Sequence, residues 1–503
     1  MNKTQYTSKK MFTTNEGNIH YNLNKMQALN QTTVTKKTYT ERIIQFGEGN
    51  FLRAFVDWIV QQMNDKVEFD SSIVVVQPIK EGMVSALKKQ DCLYHVNLQG
   101  INKGETVNSF KRIDAISRAI NPYEETDAFM RLAEQDSIRF VVSNTTEAGI
   151  HFDPKCQRDD KPASSYPGKL TQLLYHRFTH YQGDPTKGLI IFPCELIFHN
   201  GRKLKECVLQ YIDLWQLGEA FKEWFCNCCG IYSTLVDRIV PGFPRKDIAG
   251  IQEQLGFADN LLVQGEIFHL WVIEAPQEVA AEFPADKANL NVLFVSNEDP
   301  YHKRKVTLLN GPHTVLSPVS FFSGIDLVRD ACKDRLIGEY IHKVMYKELM
   351  PTIDLPQQEL MQFAGDVMER FLNPYVDHQV TSIMLNSFSK YKARVLPGLL
   401  TFKEETGELP EGLVLGLAAI ILYYKGGKRG EDIICPQEDE QTLKLLSDSW
   451  ESGNADKVAS NILGCQSLWD RDLNSVDGLT DQLAFFLKAI QERGMLETVK
   501  QIL

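Results

Sequence analysis

Arg42-Ile43-Ile44-Gln45-Phe46-Gly47-Glu48-Gly49-Asn50-Phe51 decides the architecture of the N-terminal half. Its first five residues form a short apolar run that predicts a strand, and Gly47-x-Gly49 predicts a tight turn at its end. Beyond the turn, Phe51 or Leu52, Phe55, Ile59 and Met63 recur at three- and four-residue steps, the period of a helix with one apolar face. A strand, a glycine turn and a helix in succession let the backbone come close to a pyrophosphate, whose charge the free N–H groups of the helix start stabilise. Gly47, Glu48, Gly49, Asn50 and Phe51 are therefore candidate cofactor-binding residues. Leu52 stands where the usual fingerprint has its third glycine, so a purely structural glycine turn stays open.

Working outward, Ile73-Val74-Val75-Val76 is β-branched and continuous, as in a strand buried on both faces of a parallel sheet. Ile138 to Val142 and Leu189 to Phe192 repeat the pattern, each followed by polar residues and a helix-like stretch. Strands alternating with helices predict βαβ units in a doubly wound α/β sheet of Rossmann type. After about Asn297 strand signals fade. Leu327 to Met345, Gln358 to Phe371 and Gly412 to Tyr424 carry helical periodicity instead. The expected organisation is a polar leader over residues 1–40, a dinucleotide-binding domain over 41–297 and a mostly helical domain over 298–503.

Composition narrows the function. A chain of 503 residues with 43% hydrophobic and 24% charged residues is globular and long enough for two or three cores. Its net charge of −11 argues against nucleic acid or an anionic membrane as partner. The 10 cysteines show no disulfide framework and read as reduced thiols of a cytoplasmic protein. Cys226, Cys228 and Cys229, or His176 with His180, could hint at a metal, but neither group has the paired spacing of a zinc site, so no metal is expected. Met1 to Lys37 lacks the apolar core of a signal peptide and reads as a mobile leader. Leu413 to Tyr424 is too short to span a bilayer and reads as a buried helix.

Three further segments carry polar chemistry. Asn144, Thr145 and Thr146 follow the strand ending near Val142, where ligands of open α/β sheets bind. They can meet a cofactor's ribose or nicotinamide, or simply cap a helix. The end of the second strand reads Gln77-Pro78, with neither the acidic residue that favours NAD nor an arginine that favours NADP, and NAD is the expected cofactor. Finally, Lys305-Val-Thr-Leu-Leu-Asn310-Gly-Pro-His313 places three functional groups around an apolar anchor. A partly buried Lys305 would lose solvation and become available as a base near neutrality. Asn310 can donate to an oxygen that gains charge, and His313 can bond a hydroxyl. Read locally, the same trio could equally be a solvated lysine and a surface histidine.

Ordered motifs resolve that ambiguity. Gly47-Glu-Gly49-Asn-Phe51-x-Arg53-Ala54, Thr146-Glu147-x-Gly149, Cys194-Glu195 with Asn200-Gly201, Val236-Asp237-Arg238-Ile239 and Lys305-x4-Asn310-x2-His313 occur in the order found in the long-chain polyol dehydrogenases, the mannitol dehydrogenase family, which the chain resembles from about Arg42 to near its C-terminus. The resemblance implies an NAD-type Rossmann domain followed by a helical domain, with no metal in the chemistry. It implies Lys305 as catalytic acid–base, Asn310 as oxyanion donor and His313 as substrate binder, with Asp237 near the site and Lys390 on the substrate side. Leu196, Ser382 and His302 depart from residues that polyol-active members carry. Together with Asn373-Pro374-Tyr375-Val376-Asp377-His378-Gln379, these departures move the expected substrate from a plain polyol to a sugar acid. A polyol or a different hexuronate-derived substrate, or a silent dinucleotide-binding regulator, are the alternatives. A sugar-acid carboxylate needs a cation, and Lys390 or Arg394 is expected to supply it.

Overall fold

The computed structural model describes residues 26–146, 148–434 and 436–503. The first 25 residues of the leader and Glu147 of the Thr146–Gly149 motif lie outside the described residues. The chain divides into two compact units, Met1–Leu98 with Asn108–Ser296, and Gln99–Val107 with Asn297–Leu503.

The first unit is built on a six-stranded sheet, all parallel. In spatial order its strands are Ile116–Ile120, Ser72–Val76, Glu41–Phe46, Phe140–Ser143, Ile190–Pro193 and Gly230–Ile231. Numbered along the chain this is 3-2-1-4-5-6, the order of a doubly wound dinucleotide fold, and its direction reverses between the first and fourth strands. The continuous apolar strands follow from burial on two faces. Ile43, Ile73, Val75, Phe140 and Phe192 enter one core, while Ile44, Phe46, Val74, Val76 and Val141 enter the other. A second, three-stranded sheet (Thr234–Asp237, Leu270–Glu274, Val292–Val295) carries Asp237 at the end of its first strand.

Two sequence expectations change here. Residues 26–40 are not a loose leader: Leu29 is fully buried, Gln27–Ala28 pairs with Phe257–Ala258, and Lys36 donates to the Asp91 carbonyl at 2.6 Å. The helix after the glycine turn is two helices, Asn50–Ala54 and Val56–Val67, broken at Phe55 (φ −121°, ψ −79°). Side chains from elsewhere cause the break. The Arg53 carbonyl accepts from the Tyr94 hydroxyl at 2.9 Å and the Ala54 carbonyl accepts from Arg238 at 2.6 Å, so neither needs a helical N–H.

The second unit is mostly helical. Glu411–Tyr424 is buried from Gly412 onward, as its apolar sequence beyond Glu411 requires. Gly416 fits against Val315, where a Cβ would come within 2.5 Å, so this helix packs closely on Gly311–Phe322. No helix among the described residues is long and apolar enough to cross a membrane.

Candidate active site

In the first unit, Gly47 stands at the reversal point of the sheet. Its φ of 123° and the Asn144 carbonyl, 2.8 Å from where a Cβ would lie, leave room for glycine only. Its N–H donates to the Val76 carbonyl at 3.1 Å and its carbonyl accepts from the Gln45 amide at 3.0 Å. Gly49 precedes the helix Asn50–Ala54, and a Cβ there would meet nothing within 4 Å. Asn50 is exposed and Phe51 half-buried. These backbone groups suit a dinucleotide phosphate at the carboxyl end of the sheet.

Not every motif side chain faces that space. Glu48 is buried, its Oε1 accepting from Met83 N–H at 3.1 Å, and burial raises its carboxyl above the usual range. It braces the loop after the second strand, where Gln77 also donates to the Ile79 and Lys80 carbonyls at 2.9 and 2.8 Å. Arg53 is buried and gives its hydrogens to the Glu48 carbonyl, the Leu261 carbonyl and Asn50 Oδ1. Arg238, also buried, binds the carbonyls of Ala54 and Phe268 and stacks over Trp58 at 4.3 Å, and burial lowers it to about 9.

The fourth and fifth strands end in a similar knot. Glu195 accepts from Thr145 N–H, Thr145 Oγ1 and Ser143 Oγ, all at 3.0 Å, and burial pushes its carboxyl up. Asn144 donates to the Cys194 carbonyl at 2.5 Å. Fully buried Asn200 donates to the carbonyls of Pro193, Glu195 and Thr234 and accepts from Thr234 N–H. Asn144 and Thr145 are thus held by side-chain bonds, while Thr146 is exposed. Asp237 is buried at its strand end. Leu196, one of the three departures from the polyol-active members, is 62% exposed and offers no polar side-chain group.

In the second unit, Lys305 closes the helix Asp299–Lys305, and Val306–Asn310 follows as a π-helical turn in which Gly311 N–H bonds the Val306 carbonyl. In a regular α-helix two residues five apart point about 140° away from each other. The π-turn absorbs the extra residue, so Lys305 and Asn310 stand one turn apart on one side, with His313 in the next turn. Lys305 and Asn310 are half-buried. The His313 ring stacks on Phe371 at 4.1 Å and meets His378 edge-on at 5.1 Å. Burial, with His378, Arg370 and Arg394 nearby, holds its pKa well below the ordinary value, so the ring is neutral. Its Nε2 is buried and has no hydrogen-bond partner among the described residues.

The two candidate carboxylate cations differ. Lys390 donates to the Ile383 carbonyl at 2.8 Å, while Lys392 pairs with Asp470 at 2.8 Å. Arg394 ends the helix Ser387–Arg394 and is half-buried, its charge reaches His313, and burial lowers its pKa. Phe371 and His378 escaped the sequence reading as site residues. Phe371 carried no signal beyond its place before the Asn373-Pro374 turn, and His378 stood in the Asn373–Gln379 stretch without being read as a site residue. Cys226, Cys228 and Cys229 run from exposed to buried at one helix end, and His176 pairs with Glu134 at 2.8 Å.

Residues 41–287 match the mannitol dehydrogenase Rossmann domain and residues 297–491 the mannitol dehydrogenase C-terminal domain. The chain is 66% identical over 479 residues to altronate oxidoreductase of Phocaeicola vulgatus, covering 95% of this chain and all of that one. It is 44% identical over 484 residues to altronate oxidoreductase of Escherichia coli, with the same coverage. Among solved structures, substrate-free D-sorbitol dehydrogenase shares the fold, with a TM-score of 0.78 at 19% identity, over 94% of this chain and all of that one. The chain belongs to the mannitol dehydrogenase family.

Proposed function

We propose that the protein is an NAD-dependent oxidoreductase of the cytoplasm that interconverts D-tagaturonate and D-altronate. The 66% identity to an altronate oxidoreductase over its whole length carries the reading. The setting of His313 supports it: a neutral imidazole whose Nε2 has no hydrogen-bond partner among the described residues, within reach of the Arg394 charge, suits a substrate with both hydroxyls and a carboxylate. NAD fits the Gly47–Asn50 turn, where the backbone is open at Gly49 and the sheet reverses. When bound, its nicotinamide supplies or accepts the hydride.

In reduction, protonated Lys305 gives its proton to the carbonyl oxygen of tagaturonate. Asn310 donates an amide hydrogen to the same oxygen, so the developing charge meets preset donors. His313 Nε2 holds a neighbouring hydroxyl, and Arg394 binds the carboxylate as a fork that fixes the sugar's direction. In oxidation Lys305 receives the proton from the substrate hydroxyl.

A panel of tagaturonate, fructuronate, tagatose and fructose with NADH and NADPH, followed by absorbance, tests the reading. It requires tagaturonate with NADH to be turned over best. Preference for fructuronate or a neutral ketose would reassign the substrate, and cofactor binding without any turnover would make the chain a regulator.

A further inference from the structure

One stretch of chain supplies both rings that hold His313. Phe371 lies against the imidazole at 4.1 Å with 31° between the planes, and His378 stands edge-on at 5.1 Å and 71°. The χ2 torsion of a histidine has a broad, roughly twofold profile, so nothing in the residue itself decides where Nε2 points. No hydrogen bond to Nε2 among the described residues decides it either. Packing has to do so. A face contact limits tilting of the ring, and a steeply inclined second ring closes another route, in an edge-to-face pairing that is itself attractive.

Phe371 is buried at the end of the helix Gln357–Phe371. His378 stands on the loop that follows, and this loop is fastened to the segment Asp326–Arg329. Asn373 Oδ1 opens the turn by accepting from Tyr375 N–H at 3.0 Å. Arg329 then donates to the Pro374 carbonyl at 3.0 Å and to Asp377 Oδ1 at 2.9 Å. Val328 N–H bonds the His378 carbonyl at 3.0 Å, Val380 N–H bonds the Asp326 carbonyl at 2.9 Å, and Leu327 pairs with Gln379. Asp377 is 73% exposed, so its ion pair with Arg329 is worth little by itself. The bonds to main-chain carbonyls fix the path of the loop. Burial lowers the His378 pKa, so the ring set against His313 is neutral.

We infer that His378 is a positioning residue for substrate binding: strapped to Asp326–Arg329, its ring holds the His313 imidazole in the orientation in which Nε2 meets a substrate hydroxyl. Arg329 acts one step further out, through the loop. Neither residue has to touch the substrate. The inference rests on the reading of His313 as a substrate-binding group.

A double-mutant cycle on the full chain tests it, with KM and kcat for tagaturonate and NADH measured in the native and the His313→Ala background. In the native background His378→Ala should raise KM about two- to tenfold, the worth of one side chain that must be ordered on binding, and change kcat less. His378→Phe keeps an edge-on ring without nitrogens and should recover most of that loss. Arg329→Ala should raise KM about two- to threefold, a fraction of the same effect, and it carries the cycle should His378→Ala not fold. With His313→Ala present there is no imidazole to orient, so none of these substitutions should raise KM further. An equal penalty for His378→Ala in both backgrounds would overturn the inference. So would a His378→Phe variant as weak as His378→Ala, which would make His378 a substrate contact. If His313→Ala alone leaves KM unchanged, the reading of His313 fails and takes the inference with it. If His313→Ala raises KM while the penalties simply add, the inference alone fails. Should fructuronate be turned over best, the substrate assignment falls, and the same cycle run on fructuronate decides the inference.

Discussion

Around the Gly47–Asn50 turn, buried charge is spent on backbone: Arg53 and Arg238 bind carbonyls, and Glu195 gathers N–H and O–H donors. Around His313 the polar groups keep capacity in hand, with Nε2 unpartnered among the described residues and a half-buried Arg394 whose charge reaches the neutral ring. The first arrangement fixes a peptide path against which an invariant ligand part can lie. The second leaves bonds for a substrate to complete, at the cost of unsatisfied polar atoms in the free protein. Substitutions in the first region should therefore act on stability and cofactor affinity, and those in the second on turnover and substrate affinity.

The sharpest break between the two comes from Lys305→Ala. Turnover should fall about 100- to 10,000-fold, the range of general acid–base catalysis, while NADH affinity and melting temperature hold. Near-full turnover would remove Lys305 from the chemistry. Arg394→Ala should raise KM for tagaturonate about 10- to 100-fold, as loss of a charged hydrogen-bonded pair does, with little change for a neutral ketose.

In the first region, Asn200→Ala removes an amide whose two hydrogens serve the Pro193, Glu195 and Thr234 carbonyls and whose oxygen accepts from Thr234 N–H, and should cost about 3 kcal/mol of stability, read as a lowered melting temperature. Asp57, fully buried on the helix Val56–Val67, gives a pH signature of the same kind. Its folded pKa, about 7, lies above the ordinary 3.8, so the stability it lends is full below 3.8 and is lost as pH rises through about 7. Asp57→Asn should therefore melt higher than wild type at pH 8 by more than at pH 5. The smallest effect belongs to Lys390→Ala. With its ammonium on the Ile383 carbonyl, KM should change less than about twofold, a fraction of a hydrogen bond's worth. An effect equal to that of Arg394→Ala would move the carboxylate to Lys390.

Four of the six strands of the parallel sheet were legible because burial on both faces demands continuous apolar residues, as at Ile73–Val76, whereas Ile116–Ile120, interrupted by Ser117 and Arg118, and the two-residue Gly230–Ile231 escaped the reading. Their spatial order followed only through the doubly wound fold class and not from any local signal, since pairing is set by contacts far apart in sequence. The break at Phe55 was hidden because its causes, Tyr94 and Arg238, come from distant segments. The spacing of Lys305 and Asn310 conflicts with a 3.6-residue period, and only the π-turn reconciles it. Ordered motifs pointed to Arg53, Glu48, Asn200 and Arg238 as readily as to Lys305, yet the first four brace the fold. Motif membership alone does not separate a residue that touches substrate from one that holds up the residue that does.

The central claim, that the His313 region recognises a sugar acid through Arg394, is tested most directly by one comparison. It sets kcat/KM for D-tagaturonate against D-tagatose, which carries a hydroxymethyl group in place of the carboxylate, in wild type and Arg394→Ala with NADH. The account predicts a strong preference for tagaturonate in the wild type that collapses about 10- to 100-fold in the variant. An equal preference in both proteins, or none in the wild type, would contradict it.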